Sequence, residues 1–157
     1  RDVQQYWFDR QLFLAVEKDL PVIIHSRDAA ADTLAALRRV YDDAQAGGKR
    51  LTGVIHCFSY GREMAREYVK MGFFLGIGGV VTFQNARKTK EVVTDTDLEH
   101  LVLETDCPYL SPEPHRGERN SSLYLPLVVQ EIARLKGITP EEVIRVTARN
   151  AGRLYRL

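Results

Sequence analysis

Apolar residues along this chain fall into two alternating rhythms. Short runs without a polar break, Val22-Ile23-Ile24, Val54-Ile55, Phe73-Phe74-Leu75-Gly76-Ile77 and Leu101-Val102-Leu103, read as strands buried on both faces. Between them, apolar positions three and four apart mark one-sided helices. The pattern predicts a first helix capped by Asp2 and running through about Lys18, with Tyr6, Phe8, Leu12, Phe13, Leu14 and Val16 as its apolar positions. Leu20-Pro21 ends it before a strand over Val22–His25. A second helix opens at Asp28 or Asp32, carries Leu34, Leu37, Val40 and Tyr41 on one face, and closes at Gly47-Gly48. Then come a strand over 52–56, a helix over about 62–71 closed by Gly72, a strand over 73–77 that Gly78-Gly79 bends away, a short helix over about 86–93, and a strand over 101–104. Two helices, about 123–136 and 140–155, finish the chain. Thr139-Pro140-Glu141-Glu142 predicts the start of the last one, with Thr139 as cap and Glu142 completing a capping box.

Strands that alternate with helices imply an α/β fold with a mainly parallel sheet and right-handed crossovers. Residues 1–157 read as a single domain. Periodicity leaves barrel and open sheet both standing. Four strands cannot close a barrel of eight, which typically takes about 250 residues; in a barrel, roughly the first half would be absent here. Arg1-Asp2-Val3 enters the first helix with no initiator Met, so a fragment, a processed chain or a truncated product is expected.

Composition changes this picture little. The chain is 45% hydrophobic and 27% charged with a net charge of +1, so bulk charge argues neither for nor against a nucleic-acid partner. No apolar run approaches the ~20 residues that span a bilayer, and the first residues lack the pattern of a secretory signal. Cys57 and Cys107 each adjoin a candidate ligand inside a strand and are expected to be reduced thiols in a cytoplasmic protein.

What three of the strands share is how they end. Val22-Ile23-Ile24 runs into His25, Val54-Ile55 into His56, and Leu101-Val102-Leu103 into Glu104-Thr105-Asp106. Taken singly, each histidine could merely finish its strand and Asp106 could cap a turn. Together they are ligand-type residues at equivalent ends of parallel strands, all facing one edge of the sheet, where α/β enzymes mount their chemistry. Histidines suit Zn, Mn and other transition ions, and carboxylates admit Mg and Mn. Asp106 can both hold an ion and take a proton from its water. Glu104, on the same side of a regular strand, serves either as a ligand or, preferably, as the group that orients one.

The loop Pro112-Glu113-Pro114-His115-Arg116-Gly117-Glu118-Arg119-Asn120 adjoins these acids. Arg116 there, and Arg27 beside His25, offer paired hydrogen bonds to a phosphate, although structural ion pairing explains them as well. His100 and His115 stand outside the constellation. Gly76-Ile77-Gly78-Gly79 lacks the spacing of a dinucleotide loop. Tyr60, Tyr109 and Tyr124 are expected to pack rather than stack on bases.

On these motifs the chain resembles the TatD family of metal-dependent hydrolases. The resembling stretches are Pro21-Val22-Ile23-Ile24-His25-Ser26-Arg27, Gly53-Val54-Ile55-His56-Cys57-Phe58-Ser59, Gly72-Phe73-Phe74 with Gly76-Ile77-Gly78-Gly79-Val80-Val81-Thr82-Phe83, Leu103-Glu104-Thr105-Asp106-Cys107-Pro108-Tyr109-Leu110, Arg116-Gly117-Glu118-Arg119-Asn120 and Asn150-Ala151-Gly152-Arg153-Leu154-Tyr155. The resemblance implies the C-terminal part of a TIM-like (β/α)8 metallohydrolase barrel with two divalent ions (Mg, Mn or Zn) per complete site. It implies His25 and His56 as ligands of one ion and Asp106 as ligand of the other and catalytic group. Arg27, Arg116 and Asn120 are candidate phosphate contacts. The implied activity is hydrolysis of DNA phosphodiester bonds from a single-stranded 3′ end. The family's His-x-His strand and its bridging glutamate do not occur in this chain, and Tyr60, Asp97 and Ser121-Ser122 stand where the pattern usually has other residues.

Two other readings stay open. One is a metal-dependent esterase or amidase on a substrate such as an aminoacyl ester of tRNA. The other is a non-catalytic remnant that binds nucleic acid or a partner. A sheet missing its neighbouring strands would also present an exposed edge, so oligomerisation is expected.

Overall fold

The structure, a computed structural model, describes residues 1–157. Its elements run α1 (Asp2–Lys18), β1 (Val22–His25), α2 (Ala30–Ala46), β2 (Gly53–His56), α3 (Arg62–Lys70), β3 (Phe74–Ile77), α4 (Arg87–Asp95), β4 (Leu101–Leu103), α5 (Leu125–Lys136) and α6 (Pro140–Tyr155). Short 3-10 turns over Gly79–Thr82, Leu98–His100 and Ser122–Tyr124 join them. The strands form one parallel sheet in the order β1-β2-β3-β4. Strand order equals chain order, as successive β-α units with crossovers of one hand require. No helix is long and apolar enough to cross a membrane.

Period-two alternation sorts the strand residues onto two faces. Ile24, Ile55, Leu75, Ile77 and Leu101 join a cluster of 24 buried residues with Leu12, Leu37, Val40, Tyr68, Val92, Ile132 and other helix residues. Val54, Phe74 and Val102 face the other way and form a second, small cluster closed by Leu154 of α6. Asn150, wholly buried in α6, binds that helix to β4: its Nδ2 donates to the carbonyls of Leu98 (2.9 Å) and Leu101 (2.8 Å). β1 pairs on one side only, and its Ile23, on the second face, is 62% exposed. The expectation of strands buried on both faces therefore holds for β2 to β4 and fails at β1, which lacks a neighbour to cover it.

Helix ends differ in detail from the sequence pattern. Asp2 lies inside α1 rather than capping it, and left-handed Asp19 (φ 52°) ends the helix before Leu20-Pro21 is reached. Asp28 takes a left-handed φ of 54° in the β1–α2 turn, so α2 starts later, at Ala30, with Asp32 in its first turn. Thr139 caps α6 by accepting from the Glu142 N–H at 3.2 Å. Glu142 does not return the bond; its carboxylate pairs with Arg145 instead, leaving the capping box half made.

Candidate metal centre

Parallel register delivers the strand ends side by side: His25 is the register partner of His56, and their ring centroids lie 6.1 Å apart. β4 stops at Leu103, one residue short of the predicted strand over 101–104, yet the Glu104 N–H still bonds to the Ile77 carbonyl at 3.2 Å. Both acids then reach the same imidazole. Glu104 Oε2 lies 2.8 Å from His56 Nδ1, and Asp106 Oδ1 lies 3.2 Å from His56 Nε2.

Glu104 is held on its other oxygen as well, where the Cys57 N–H donates to Oε1 at 2.5 Å. Room for this carboxylate comes from Gly76 on the intervening strand. A Cβ at Gly76 would stand 2.2 Å from Glu104 Oε2 and 2.6 Å from Cδ, closer than any side chain tolerates. Sequence reasoning set this glycine aside after rejecting a dinucleotide loop. The usable signal was a glycine in the middle of a buried strand, which marks close approach by a neighbour.

Burial and charge set the protonation of the cluster. Burial by itself lowers the affinity of His56 for a proton, but the two facing carboxylates outweigh it and hold the imidazole above its ordinary value. Glu104 is also pushed up, by burial more than His56 and the Cys57 N–H pull it down. Burial, reinforced by the charges of Glu104 and Asp106, pushes the Cys57 thiol up to about 11. Cys57 is therefore a neutral thiol at physiological pH. Both cysteines are free of disulfides and lie just past their strands rather than within them, Cys57 with a left-handed φ of 49°.

The remaining candidates lie around this cluster. Arg27 is exposed beside His25 and Ser26, on the wall of a cavity that also includes Gln4, Gln5 and Asp32. The Arg116 guanidinium sits 4.4 Å over the Phe83 ring, with Glu113 3.9 Å away. Asn120 is buried, and both ends of its amide serve the loop backbone: Nδ2 donates to the Tyr109 carbonyl at 2.6 Å and Oδ1 accepts from the Ser121 N–H at 2.8 Å. In this structure the Asn120 amide therefore braces its own loop. His115 stacks on Tyr124 at 4.2 Å, whereas Tyr109 is 70% exposed and does not pack.

No three His, Cys, Asp or Glu side chains close round a single point in this chain. The donors that are present nevertheless suit a divalent ion. Glu104 holds Nδ1 of His56, and Nε2 is the nitrogen that would face an ion, as in the carboxylate–histidine arrangement of metal sites. Asp106 Oδ1 hydrogen-bonds to Nε2 at 3.2 Å, so both oxygen and nitrogen donors already face one spot at the strand ends. His25 stands on the adjoining strand with its ring centroid 6.1 Å from that of His56, beside this pair rather than closed round one point with it.

Comparison with known proteins agrees with this chemistry. The chain is 45% identical over all 157 residues to YabD of Bacillus subtilis, an uncharacterized metal-dependent hydrolase, and covers 59% of it. It is 40% identical over 156 residues to the Escherichia coli metal-dependent hydrolase YcfH, of which it covers 56%. Among solved structures, YJJV, a TatD homolog from E. coli, superposes with a TM-score of 0.89 at 30% identity, over 99% of this chain and 57% of that one. The chain thus spans between half and two thirds of the length of these relatives, and its four strands match part of their barrel. The family model described as TatD related DNase matches residues 1–156, and the chain belongs to that family.

Proposed function

We propose that residues 1–157 form one folding unit carrying part of the active site of a divalent-metal-dependent phosphodiesterase that hydrolyses DNA from a single-stranded 3′ end. The observation that carries this reading is the clamped imidazole, with Glu104 on His56 Nδ1 and Asp106 facing Nε2. His25, His56 and Asp106 are the residues that would hold the ions. Ions held there would supply a water of lowered pKa and offset charge on the phosphate.

The chain's own residues supply the rest. Glu104 fixes the tautomer and plane of His56, so that Nε2 carries no proton when it coordinates. Asp106 Oδ accepts the proton that the attacking water gives up as its oxygen bonds to phosphorus and the ester oxygen departs. Arg27, free of ion pairs and next to His25, contacts a phosphate, and Arg116, stiffened on Phe83, contacts a second one further along the strand. Two free thiols suit a reducing compartment and support a cytoplasmic location. The unpaired edge of β1 and exposed Ile23 favour association of the isolated chain into oligomers.

The test is nucleotide release from 3′-labelled single-stranded DNA by the intact protein, with Mn2+ or Mg2+ and with chelator. Activity should need metal and fall at least 100-fold in His56→Ala and in Asp106→Asn. Full activity in both variants, or turnover of ester or amide substrates but not of DNA, contradicts the proposal.

A further inference from the structure

Of the three proposed ligands, His25 is the one whose ring has no hydrogen-bond partner in the chain. It ends a four-residue strand that is paired on one side only, and it leads into a turn that contains left-handed Asp28. Beyond its register with His56, the side-chain restraint nearest to it falls on the next residue, Ser26.

Ser26 is held by a circuit of three hydroxyls. The Tyr60 hydroxyl donates to the Ser26 carbonyl at 3.0 Å and also lies 2.8 Å from Ser26 Oγ. Ser26 Oγ lies 2.9 Å from Thr33 Oγ1 on α2. Counting protons fixes the direction of every bond. A tyrosine hydroxyl has one proton, and here it goes to the carbonyl, so Ser26 Oγ must donate to Tyr60 and Thr33 must donate to Ser26. Each hydroxyl then gives once, and the loop after β2 is locked to the turn after β1. Tyr60 is itself stiff: its ring meets buried Phe58 edge-on at 5.9 Å and packs against the main core.

We propose that Tyr60 is a positioning residue, which acts through Ser26 to hold His25 opposite His56 for metal binding. The proposal rests on reading His25 as a ligand. Partners that orient metal ligands typically set affinity by about 10–100-fold. Tyr60 reaches its ligand through the backbone of the adjacent residue, which places it at the lower end.

The experiment is Mn2+ titration calorimetry on the intact protein and on Tyr60→Phe, His25→Ala and the double variant, with melting of each in chelator. Tyr60→Phe keeps the ring against Phe58 and removes only the hydroxyl. It should bind Mn2+ about tenfold more weakly while its metal-free melting temperature moves by a few degrees at most. The double variant should bind no more weakly than His25→Ala alone, because the hydroxyl works through that histidine. An affinity for Tyr60→Phe within about twofold of wild type overturns the proposal, as does a double variant that loses the two effects additively. Unchanged affinity in His25→Ala overturns the ligand reading itself, and the role of Tyr60 with it. Should Tyr60→Phe fail to fold, Tyr60→Leu removes the same hydroxyl together with the ring, and the same two outcomes, read on the metal affinity of its folded fraction, decide.

Discussion

Gly76→Ala adds one methyl group and tests how the centre is built. The new Cβ would lie 2.2 Å from Glu104 Oε2, so the carboxylate has to leave its place. Its departure breaks two charged hydrogen bonds, one to His56 and one from the Cys57 N–H. Bonds to charged groups contribute about 1.5–3 kcal/mol each. Replacing a strand glycine by alanine returns about 0.5–1 kcal/mol of backbone entropy, and the displaced carboxylate recovers some hydration. The net cost should be about 2–4 kcal/mol, seen as a lower urea midpoint with an unchanged slope. Metal affinity should fall by about 10–100-fold, because His56 loses the group that orients it. The control is Glu104→Ala, alone and combined with Gly76→Ala. If the clash is the cause, adding Gly76→Ala to Glu104→Ala costs nothing further. Additive losses, or a single Gly76→Ala variant within about 0.5 kcal/mol of wild type, would refute the reasoning.

Two other outcomes follow from the same contacts. Asn150→Ala leaves the carbonyls of Leu98 and Leu101 unpaired in the interior and should cost about 2–4 kcal/mol in urea unfolding, whereas a surface change such as Lys88→Ala should stay within about 0.5 kcal/mol. For pH, the folded protein holds the His56 proton more tightly than the ordinary value of 6.5. The stability this lends to the metal-free protein is fully present below about pH 6.5 and is lost as pH rises through the higher folded value. Metal needs the neutral imidazole, so Mn2+ affinity should strengthen over that same rise. Chelator-treated samples melted from pH 5.5 to 8.5, beside Mn2+ titrations, should show the two opposite slopes, and His56→Ala should abolish both.

Much of this arrangement was legible in the sequence, for a physical reason. A parallel strand buried on both faces is an unbroken apolar run, so the residue that breaks it stands at the sheet edge; that located His25, His56 and the Glu104-Thr105-Asp106 group. The α/β class and the order of elements followed from the two periodicities. What stayed hidden depends on partners distant along the chain. Gly76 has no side chain to signal with, and its meaning lies in Glu104 on the next strand. Asn120 entered only through the family resemblance, and that its amide turns inward to brace the loop is set by Tyr109, eleven residues back, and by Ser121. Asp2, Asp28 and Asp32 are all acceptable helix caps, and only the left-handed turn at Asp28 decides where α2 begins. The exposure of Ile23 follows from strand pairing, which a run of apolar letters does not contain.

The account stands on His56 Nε2 and Asp106 forming one metal-binding corner, with Glu104 behind the imidazole. An anomalous difference map from crystals of the intact protein soaked in Mn2+ or Zn2+ tests this most directly. Ion peaks should lie about 2.0–2.2 Å from His56 Nε2 and from an Asp106 oxygen, whether one ion or two neighbouring ones, with Glu104 still on Nδ1. A fully occupied peak bound through Glu104, or one remote from both His56 and Asp106, would contradict it.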